Sequence, residues 1–341
     1  MSHSLIHHYD AVLLDLDGTV YRGGQAVPGA IPAVSAARQQ GIGVRFVTNN
    51  ASRSPADVAA HLRGLGFDAG AKEVSTSAQA AAAVLAGKVE PSSAVMIVGT
   101  EALAAEVQAV GLRPVRTADG HAAAVVQGHS PETGWQDLAE ACLAIRAGAF
   151  WVACNVDLTL PTERGELPGN GSMVAALRAA TGQQPVVAGK PERPLIEQSV
   201  RATAASNALM VGDRLDTDIA GAVNAGLDAL LVLTGVTTAA DLLAAPAAAR
   251  PRYVAAGLAG IAVPVEEVEV AQRPGWAVRV DPGRVVLRST DAGQSTGAIG
   301  ALHTLCAHWW RAGGGDDVKV LGEDDVARAA LHELGLDATG Q

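Results

Sequence analysis

Two aspartates separated by a single residue follow the first apolar run of this sequence, in the stretch Asp15-Leu16-Asp17-Gly18. Residues 11–16 are predicted to form a buried strand, and residues i and i+2 of a strand project from the same face. Two carboxylates on one face repel each other, so such a pair favours chemistry over a structural role. Gly18 permits a tight turn or a close approach to the backbone. The structural alternative is that the aspartates cap a helix.

Hydroxyl, amide and ammonium groups that suit phosphate oxygens occur at two further places. Thr48, Asn49 and Asn50 end or follow a predicted strand, and Lys190 lies in a loop before a predicted helix. Lys190 is one of four lysines in a chain with 21 arginines, so a lysine here indicates a chemical preference. Paired asparagines are also common in turns and helix caps, and a loop lysine is often simply solvated. Both interpretations stay open for each group.

Asp213 follows another predicted strand. In open parallel sheets, functional groups collect outside the carboxyl ends of the strands. A hard cation could join Asp213 to Asp15 and Asp17 there, since Mg²⁺ favours one or two carboxylates together with water and phosphate oxygens. Asp216 and Asp218 stand a few residues further on, and capping of the next helix is an alternative role for both.

These residues are positioned by short Val, Leu and Ile runs that alternate with alanine-rich helical stretches. Near-continuous apolarity predicts strands that are covered on both faces, and the alternation predicts an α/β fold with a doubly wound parallel-sheet core. The predicted strands cover residues 11–16, 44–48, 95–98, 123–126, 151–154, 208–211 and 229–233. The predicted helices cover residues 31–40, 55–65, 101–110, 171–181 and 195–205.

The pattern changes near residue 261. Residues 263–270 and 276–288 are predicted to be strands, the second with a turn at Asp281-Pro282-Gly283. A helix over 296–311, a strand over 318–321 and a helix over 324–334 are predicted to follow. We therefore expect a small α+β C-terminal extension, residues 263–341.

Composition excludes several classes of protein. The chain has 341 residues, 49% of them hydrophobic, which is enough apolar surface to exclude a disordered protein. Its formal net charge of −10 argues against nucleic acid or an anionic membrane as a partner. Three scattered cysteines predict neither a disulfide framework nor a zinc site. No apolar run approaches the ~18 residues that span a bilayer, so a cytoplasmic protein is expected.

In this order, the polar stretches resemble the four motifs of the haloacid dehalogenase superfamily of phosphatases: Asp-X-Asp-Gly-Thr, a Thr or Ser, a Lys, and Gly-Asp with a further Asp. The matching stretches are residues 15–21, 48–53, 189–191, 211–219 and 233–236. More narrowly, the chain resembles the phosphoglycolate and glycerol-3-phosphate phosphatase group, close to the 4-nitrophenylphosphatase and pyridoxal-phosphate phosphatase enzymes. The resemblance covers residues 8–262 and not the C-terminal extension.

The resemblance implies a core formed by residues 1–77 and 187–262, interrupted by an inserted α/β cap domain at 78–186. In the cap, Asn155 and Asp157 lie in a stretch similar to the family loop that faces the substrate, so they are expected to bind it. One position departs from the family. Relatives carry an acidic residue after the glycine, where this chain has His129.

The resemblance also implies a mechanism. Asp15 would attack phosphorus and form an aspartyl-phosphate, and Asp17 would protonate the leaving oxygen and later deprotonate water. Mg²⁺ would be held by the side chains of Asp15 and Asp213 and by the main-chain carbonyl of Asp17. The residues expected to bind and orient the phosphate are Lys190, Thr48, Asn49 and Asn50.

The expected function is Mg²⁺-dependent hydrolysis of a small phosphorylated metabolite, with glycerol 3-phosphate first. Phosphoglycolate, pyridoxal phosphate and a nucleotide are the alternatives. Residues 294–299 weakly resemble the pyrophosphate loop of acetyl-CoA-dependent N-acetyltransferases, so an acetyl-CoA-binding or acetyltransferase-like extension is a further alternative. The extension could instead bind a partner, form a homodimer or pack on the core.

Overall fold

The computed structural model describes residues 4–117, 121–162, 164–290, 296–316 and 318–337. The chain divides into two compact units. We call Met1–Val44 with Ala205–Gln341 the first unit, and Arg45–Ala204 the second unit. In the described ranges, the helices are all too short or too polar to cross a membrane. The division into core, cap and C-terminal extension stays a prediction.

The strands and helices predicted before residue 261 are present with bounds close to those predicted, and further elements lie between them. The first stretch contains β1 (Ala11–Leu14), β2 (Tyr21–Arg22), β3 (Gln25–Ala26), α1 (Ala30–Gln39) and β4 (Gly43–Thr48), within which the second unit begins. The second unit continues with α2 (Pro55–Gly64), β5 (Val74–Thr76), α3 (Ser77–Ala86), β6 (Ala94–Val98), α4 (Glu101–Ala109), β7 (Arg113–Val115), β8 (Ala124–Gln127), α5 (Trp135–Arg146), β9 (Phe150–Ala153), β10 (Thr159–Thr162), β11 (Gly165–Pro168), α6 (Asn170–Thr181), β12 (Val186–Val187) and α7 (Arg193–Thr203). The last stretch contains β13 (Ala208–Gly212), α8 (Ala220–Ala225), β14 (Asp228–Val232), α9 (Ala239–Leu243), β15 (Tyr253–Ala255), α10 (Val265–Val268), β16 (Trp276–Asp281), β17 (Arg284–Ser289), α11 (Gly297–Arg311), β18 (Lys319–Gly322) and α12 (Asp325–Glu333).

The first unit contains parallel strands in the order β15-β14-β13-β1. Every residue of β1 and of β13 is buried, as expected for strands that are covered on both faces. Leu14 at the end of β1 pairs with Val211 near the end of β13. The residues that follow these two strands therefore emerge side by side at one edge of the sheet.

The second unit contains a parallel sheet of its own, in the order β12-β9-β8-β6-β7. Helices α5 and α6 cover one face, where Met96, Val98 and Val125 pack with Ala141 and Val174. Strands β4 and β5 pair in parallel in the same unit. Both units thus confirm the predicted α/β class, with helices packed on parallel sheets.

The C-terminal part of the first unit is a small α+β arrangement, as predicted. Strands β16 and β17 form a hairpin across Asp281-Pro282-Gly283, and β18 pairs with β17 in parallel. Trp310 of α11 donates its indole N–H to the carbonyl of Leu243 in α9 at 3.2 Å, and the Arg250 guanidinium lies 5.4 Å above the Trp310 ring. Residues 291–295, which include Gln294 and Ser295 of the predicted acetyl-CoA loop, lie outside the described residues.

One predicted strand is wrong. Residues 263–270 contain the short helix α10 and not a strand. Pro264 stands immediately before this helix and has no N–H to donate to a strand ladder. Glu266 and Glu267 lie in its first turn, where negative charge stabilises a helix. Val265 and Val268 are spaced by three residues, a separation typical of one face of a helix.

Candidate active site

Three carboxylates of the first unit converge beyond the ends of β1 and β13. One oxygen each from Asp15, Asp213 and Asp218 can be chosen so that all three lie within 4.8 Å of one another. Asp213 is fully buried and Asp218 is nearly so. Asp15 follows β1, Asp213 follows β13, and Asp218 lies in the π-helical turn Leu215–Ile219. Because β1 and β13 are parallel neighbours, their ends bring Asp15 and Asp213 together.

Glycines make room for these carboxylates. A Cβ atom on Gly235 would lie 1.8 Å from Oδ2 of Asp213, and one on Gly18 would lie 2.5 Å from the same oxygen. A Cβ atom on Gly212 would lie 2.4 Å from Oδ2 of Asp218. Side chains at these positions would collide with the carboxyl groups. The glycines therefore let backbone pack directly against the two buried acids.

Backbone N–H groups orient the two buried carboxylates. Oδ2 of Asp213 accepts a hydrogen bond from the backbone N–H of Val236 at 2.7 Å. Oδ2 of Asp218 accepts one from the backbone N–H of Arg214 at 3.1 Å. Three close carboxylates repel one another unless a positive charge balances them. Oxygen ligands of this type suit Mg²⁺, so the cluster fits a magnesium site.

Asp17 lies beside this cluster in sequence, but its side chain is not one of the three that converge among the described residues. Strand β1 ends at Leu14, two residues earlier than predicted, because the chain turns: the N–H groups of Val20 and Tyr21 both donate to the Leu16 carbonyl. The Asp17 side chain reaches solvent, yet the protein atoms around its carboxyl group partly desolvate it and raise its pKa above the usual value. Backbone N–H groups of Gly23 and Gly18 and the charge of Arg22 oppose this rise.

In the second unit, Asn49 links the loop after β4 to Lys190. Its side-chain oxygen accepts the backbone N–H of Lys190 at 2.8 Å, and its side-chain nitrogen donates to the Lys190 carbonyl at 3.0 Å. Lys190 is 2% exposed, and its ammonium group donates to the Val47 carbonyl at 3.3 Å. The structure thus brings together two of the residues that the sequence predicts to bind phosphate.

Thr48 and Asn50 shape the same loop. The Thr48 hydroxyl accepts the backbone N–H of Asn50 at 3.1 Å. The side-chain oxygen of Asn50 accepts the backbone N–H groups of Ser52 at 2.9 Å and Arg53 at 3.1 Å. The Asn50 oxygen therefore stabilises the turn, which is the structural role that paired asparagines commonly have.

Asn155 and Asp157 pack against this loop. The Asn155 amide donates to the Asn49 carbonyl at 2.7 Å, and Oδ2 of Asp157 accepts from the Asn49 amide at 3.3 Å. Asn155 is buried. Its visible contacts thus hold the loop in place, while the prediction that Asn155 and Asp157 bind substrate stays a prediction.

The sequence allows either capping or chemistry for Asp218, and the structure places it in the acidic cluster. The nearby Asp216 instead forms an exposed ion pair with Arg214 at 2.7 Å. The sequence signal for Asp218 is its place five residues after Asp213. The π-helical turn Leu215–Ile219 contains it, and a Cβ atom on Gly212, the last residue of β13, would lie 2.3 Å from the Asp218 Cβ atom. The prediction that Mg²⁺ uses the main-chain carbonyl of Asp17 stays a prediction.

Comparisons with known proteins identify similar chains. A haloacid dehalogenase-like hydrolase model matches residues 12–113, and a HAD-hydrolase-like model matches residues 187–261. A GCN5-related N-acetyltransferase like domain model matches residues 273–336. The chain is similar to the D-glycerol 3-phosphate phosphatase of Mycobacterium tuberculosis, with 49% identity over 98% of this chain and 96% of that protein. It is also similar to the 5'-nucleotidase YutF of Bacillus subtilis, with 41% identity over 67% of this chain and 89% of the relative.

A solved structure extends the likeness to three dimensions. The crystal structure of the glycerol phosphate phosphatase from Mycobacterium tuberculosis in complex with magnesium has a TM-score of 0.92 to this chain and 49% identity. The structural match covers 98% of this chain and 100% of the chain in that crystal structure. The C-terminal extension is therefore shared with that protein.

Proposed function

Because this chain belongs to the haloacid dehalogenase-like hydrolase family, we propose that it is a Mg²⁺-dependent phosphatase that hydrolyses glycerol 3-phosphate to glycerol and phosphate. The observation that carries this proposal is the cluster of Asp15, Asp213 and Asp218, in which Asp15 is half-buried and the other two are buried. Carboxylates so arranged suit a magnesium ion, which supports the proposed roles of Asp15 as nucleophile and metal ligand. The likeness to a D-glycerol 3-phosphate phosphatase over nearly the whole chain supports the choice of substrate.

In the proposed reaction, an oxygen of Asp15 bonds to phosphorus and the bond from phosphorus to the glycerol oxygen breaks. Asp17 gives its proton to that leaving oxygen, so neutral glycerol departs. Asp17 then takes a proton from the water that attacks phosphorus, and phosphate leaves Asp15. The raised pKa of Asp17 supports this role, since a carboxyl group with a raised pKa keeps its proton to higher pH and can then donate it.

Bound Mg²⁺ would supply positive charge that lets the Asp15 anion approach the phosphate dianion. The candidate ligands are the side chains of Asp15, Asp213 and Asp218, together with the main-chain carbonyl of Asp17. In the second unit, the Lys190 ammonium and the donors of Thr48, Asn49 and Asn50 are proposed to neutralise and orient the phosphate. Asn155 and Asp157 complete the proposed substrate-binding residues.

A nucleotide is the second candidate substrate. The likeness to a 5'-nucleotidase over two thirds of the chain favours this candidate. Phosphoglycolate and pyridoxal phosphate, which the motif resemblance also allows, are the third and fourth. The small phosphorylated metabolite is the proposed partner in each case. A cytoplasmic location, a homodimer, the absence of nucleic-acid and membrane partners, and an acetyl-CoA-dependent activity of the extension all stay predictions.

Phosphate release tests the proposal. We expect Mg²⁺-dependent release from glycerol 3-phosphate that exceeds release from a nucleoside monophosphate, phosphoglycolate and pyridoxal phosphate. Asp15→Asn should abolish release and covalent phosphorylation, because an amide cannot form the acyl-phosphate. Asp325→Asn is the control, since Asp325 is an exposed carboxylate that pairs with Arg328 in the C-terminal extension. Wild-type activity of Asp15→Asn in the presence of Mg²⁺ would contradict the mechanism.

A further inference from the structure

Helix α5 of the second unit carries large apolar side chains on its solvent-facing side. Trp135 is 81% exposed and Leu143 is 60% exposed. The opposite face of the same helix is also apolar, and its residues Ala141 and Ile145 pack in the core of this unit. A helix that is apolar on both faces is normally covered on both faces. The exposed face of α5 therefore has the character of a protein–protein contact surface.

The exposed apolar residues of α5 form a ridge. Trp135, Ala139 and Leu143 are spaced by four residues, so they lie one above another along the helix, and we call them the outer ridge. At about 1.5 Å per residue, the outer ridge extends about 12 Å. Ridges with this spacing pack between the ridges of a second helix at a crossing angle of about −50°, and the small Ala139 at the centre permits a close approach. The outer ridge therefore suits a second helix.

The two ends of the outer ridge carry opposite charges. Glu132 is exposed shortly before α5 begins, and Arg146 is exposed at the last residue of α5. Among the described residues, neither side chain has an ion-pair partner. Arg146 donates to the Ala180 carbonyl at 2.6 Å, which leaves further guanidinium N–H groups for a partner. The nearby Asp137 is already engaged, because its carboxylate accepts the Gly134 N–H at 2.8 Å.

These side chains are arranged symmetrically about Ala139. Trp135 and Leu143 lie four residues before and after it, and Glu132 and Arg146 lie seven residues before and after it. A two-fold axis perpendicular to the helix at Ala139 therefore places Trp135 of each copy over Leu143 of the other. The same axis brings Glu132 of each copy to the end at which Arg146 of the other lies. A parallel pair of helices would instead place like charges together, so the charges favour the antiparallel pair.

We propose that this chain forms a homodimer through α5, with the two α5 helices antiparallel and crossing at Ala139. Trp135 is the anchor of this interface, a role that tryptophan commonly has where proteins meet. Helix α6 packs beside α5, and its exposed residues Ala176 and Ala179 add small apolar surface to the same interface. None of these residues takes part in the proposed hydrolysis, so the inference goes beyond the proposed function.

Exchange of the end charges tests the pairing. By light scattering on a sizing column, wild type should have twice the mass of the chain. Glu132→Arg and Arg146→Glu each place like charges together, so each should raise the Kd of the dimer by about 10-fold or more. The double variant Glu132→Arg/Arg146→Glu should return the Kd to near that of wild type, because the ion pairs form again with reversed signs. Glu90→Arg, at an exposed glutamate of the same unit, is the control and should leave the Kd unchanged.

Two further variants test the apolar centre of the interface. Trp135→Glu should raise the Kd by at least about 30-fold, the effect of losing an interface anchor, and should fold normally because the side chain is exposed. In a Cys142→Ser background, Ala139→Cys places a cysteine of each copy at the two-fold axis, where the two can meet at disulfide distance. Mild oxidation should therefore give a covalent dimer. Ala105→Cys, at an exposed alanine of α4, is the control and should not cross-link.

Three results would overturn the inference. They are a wild-type protein that stays monomeric, a dimer whose Kd Trp135→Glu leaves unchanged, and a double charge variant no tighter than the single variants. Equal cross-linking of Ala139→Cys and Ala105→Cys would overturn the position of the axis, and this readout remains if the glutamate variant fails to fold. None of these measurements needs turnover, so they decide the interface even if the proposed phosphatase function fails.

Discussion

Gly235→Ala is the sharpest test of the carboxylate cluster. The added methyl group would lie 1.8 Å from Oδ2 and 2.2 Å from Cγ of Asp213. Non-bonded atoms settle at about 3.5 Å, so the carboxyl group must move by about 1.5 Å. This movement would also break its hydrogen bond from the Val236 N–H at 2.7 Å. Gly235 has no left-handed backbone angle, so the effect of the alanine is steric.

A displacement of this size exceeds what a magnesium ligand tolerates. Mg²⁺ requires oxygen ligands at about 2.0–2.1 Å in near-octahedral geometry, and a functional site holds such distances within about 0.2 Å. Mutation of groups that orient a metal ligand typically lowers metal affinity by about 10- to 100-fold, or about 1.4–2.7 kcal/mol. We expect the Mg²⁺ affinity of Gly235→Ala to fall by at least this much. The half-saturating Mg²⁺ concentration for phosphate release should rise by the same factor.

The assay combines this Mg²⁺ dependence with the Mg²⁺-induced rise in Tm. Gly64→Ala is the matched control, because Gly64 lies in α2 and no atom lies within 4 Å of its added Cβ. The control should retain the wild-type Mg²⁺ dependence and gain up to about 1 kcal/mol of stability. A folded Gly235→Ala protein with wild-type half-saturation would refute the assignment of Asp213 to the metal.

Three further predictions concern separate groups. Asp17→Asn should lose several decades of rate yet keep most of its Mg²⁺ affinity, whereas Asp213→Asn should bind Mg²⁺ more weakly. Titration calorimetry in which Asp17→Asn lost more Mg²⁺ affinity than Asp213→Asn would contradict these roles. Asn155→Ala should lower kcat/KM for glycerol 3-phosphate by about 5- to 150-fold and that for an aryl phosphate much less, because an aryl phosphate has no alcohol hydroxyl groups for the proposed substrate-binding amide to contact. Equal losses on both substrates would instead mean that Asn155 acts only by holding the Asn49 carbonyl. Burial and the nearby Arg273 charge lower the pKa of His303 from 6.5 to about 4. As pH falls, His303 therefore takes up its proton in the unfolded chain at a higher pH than in the folded chain. Between pH 6.5 and pH 4, the unfolding free energy of wild type, measured by urea unfolding, should fall by about 3 kcal/mol more than that of His303→Gln. Parallel pH profiles of the two proteins would contradict the lowered pKa.

Much of the fold could be predicted because it depends on local pattern. The apolar runs that form β1 and β13 are too short for helices and too continuous for half-exposed strands, so they indicate a buried parallel sheet. Parallel strands end at one edge, and this alone brings Asp15 and Asp213 together in the prediction. The motif order then indicates the family. The strand expected at residues 263–270 is wrong because Pro264 and two acidic residues favour a helical turn there.

What only the tertiary structure decided involves residues whose partners lie far away in the chain. No local pattern indicates that Gly235 lies against Asp213, that Asn155 holds the Asn49 carbonyl, or that the Gln127 amide is buried without a partner among the described residues. Side-chain types and spacing determine which groups reach the end of a strand, because the backbone geometry of a strand is the same everywhere. Which atoms then touch depends on how separate segments pack, and close packing leaves room for only one arrangement.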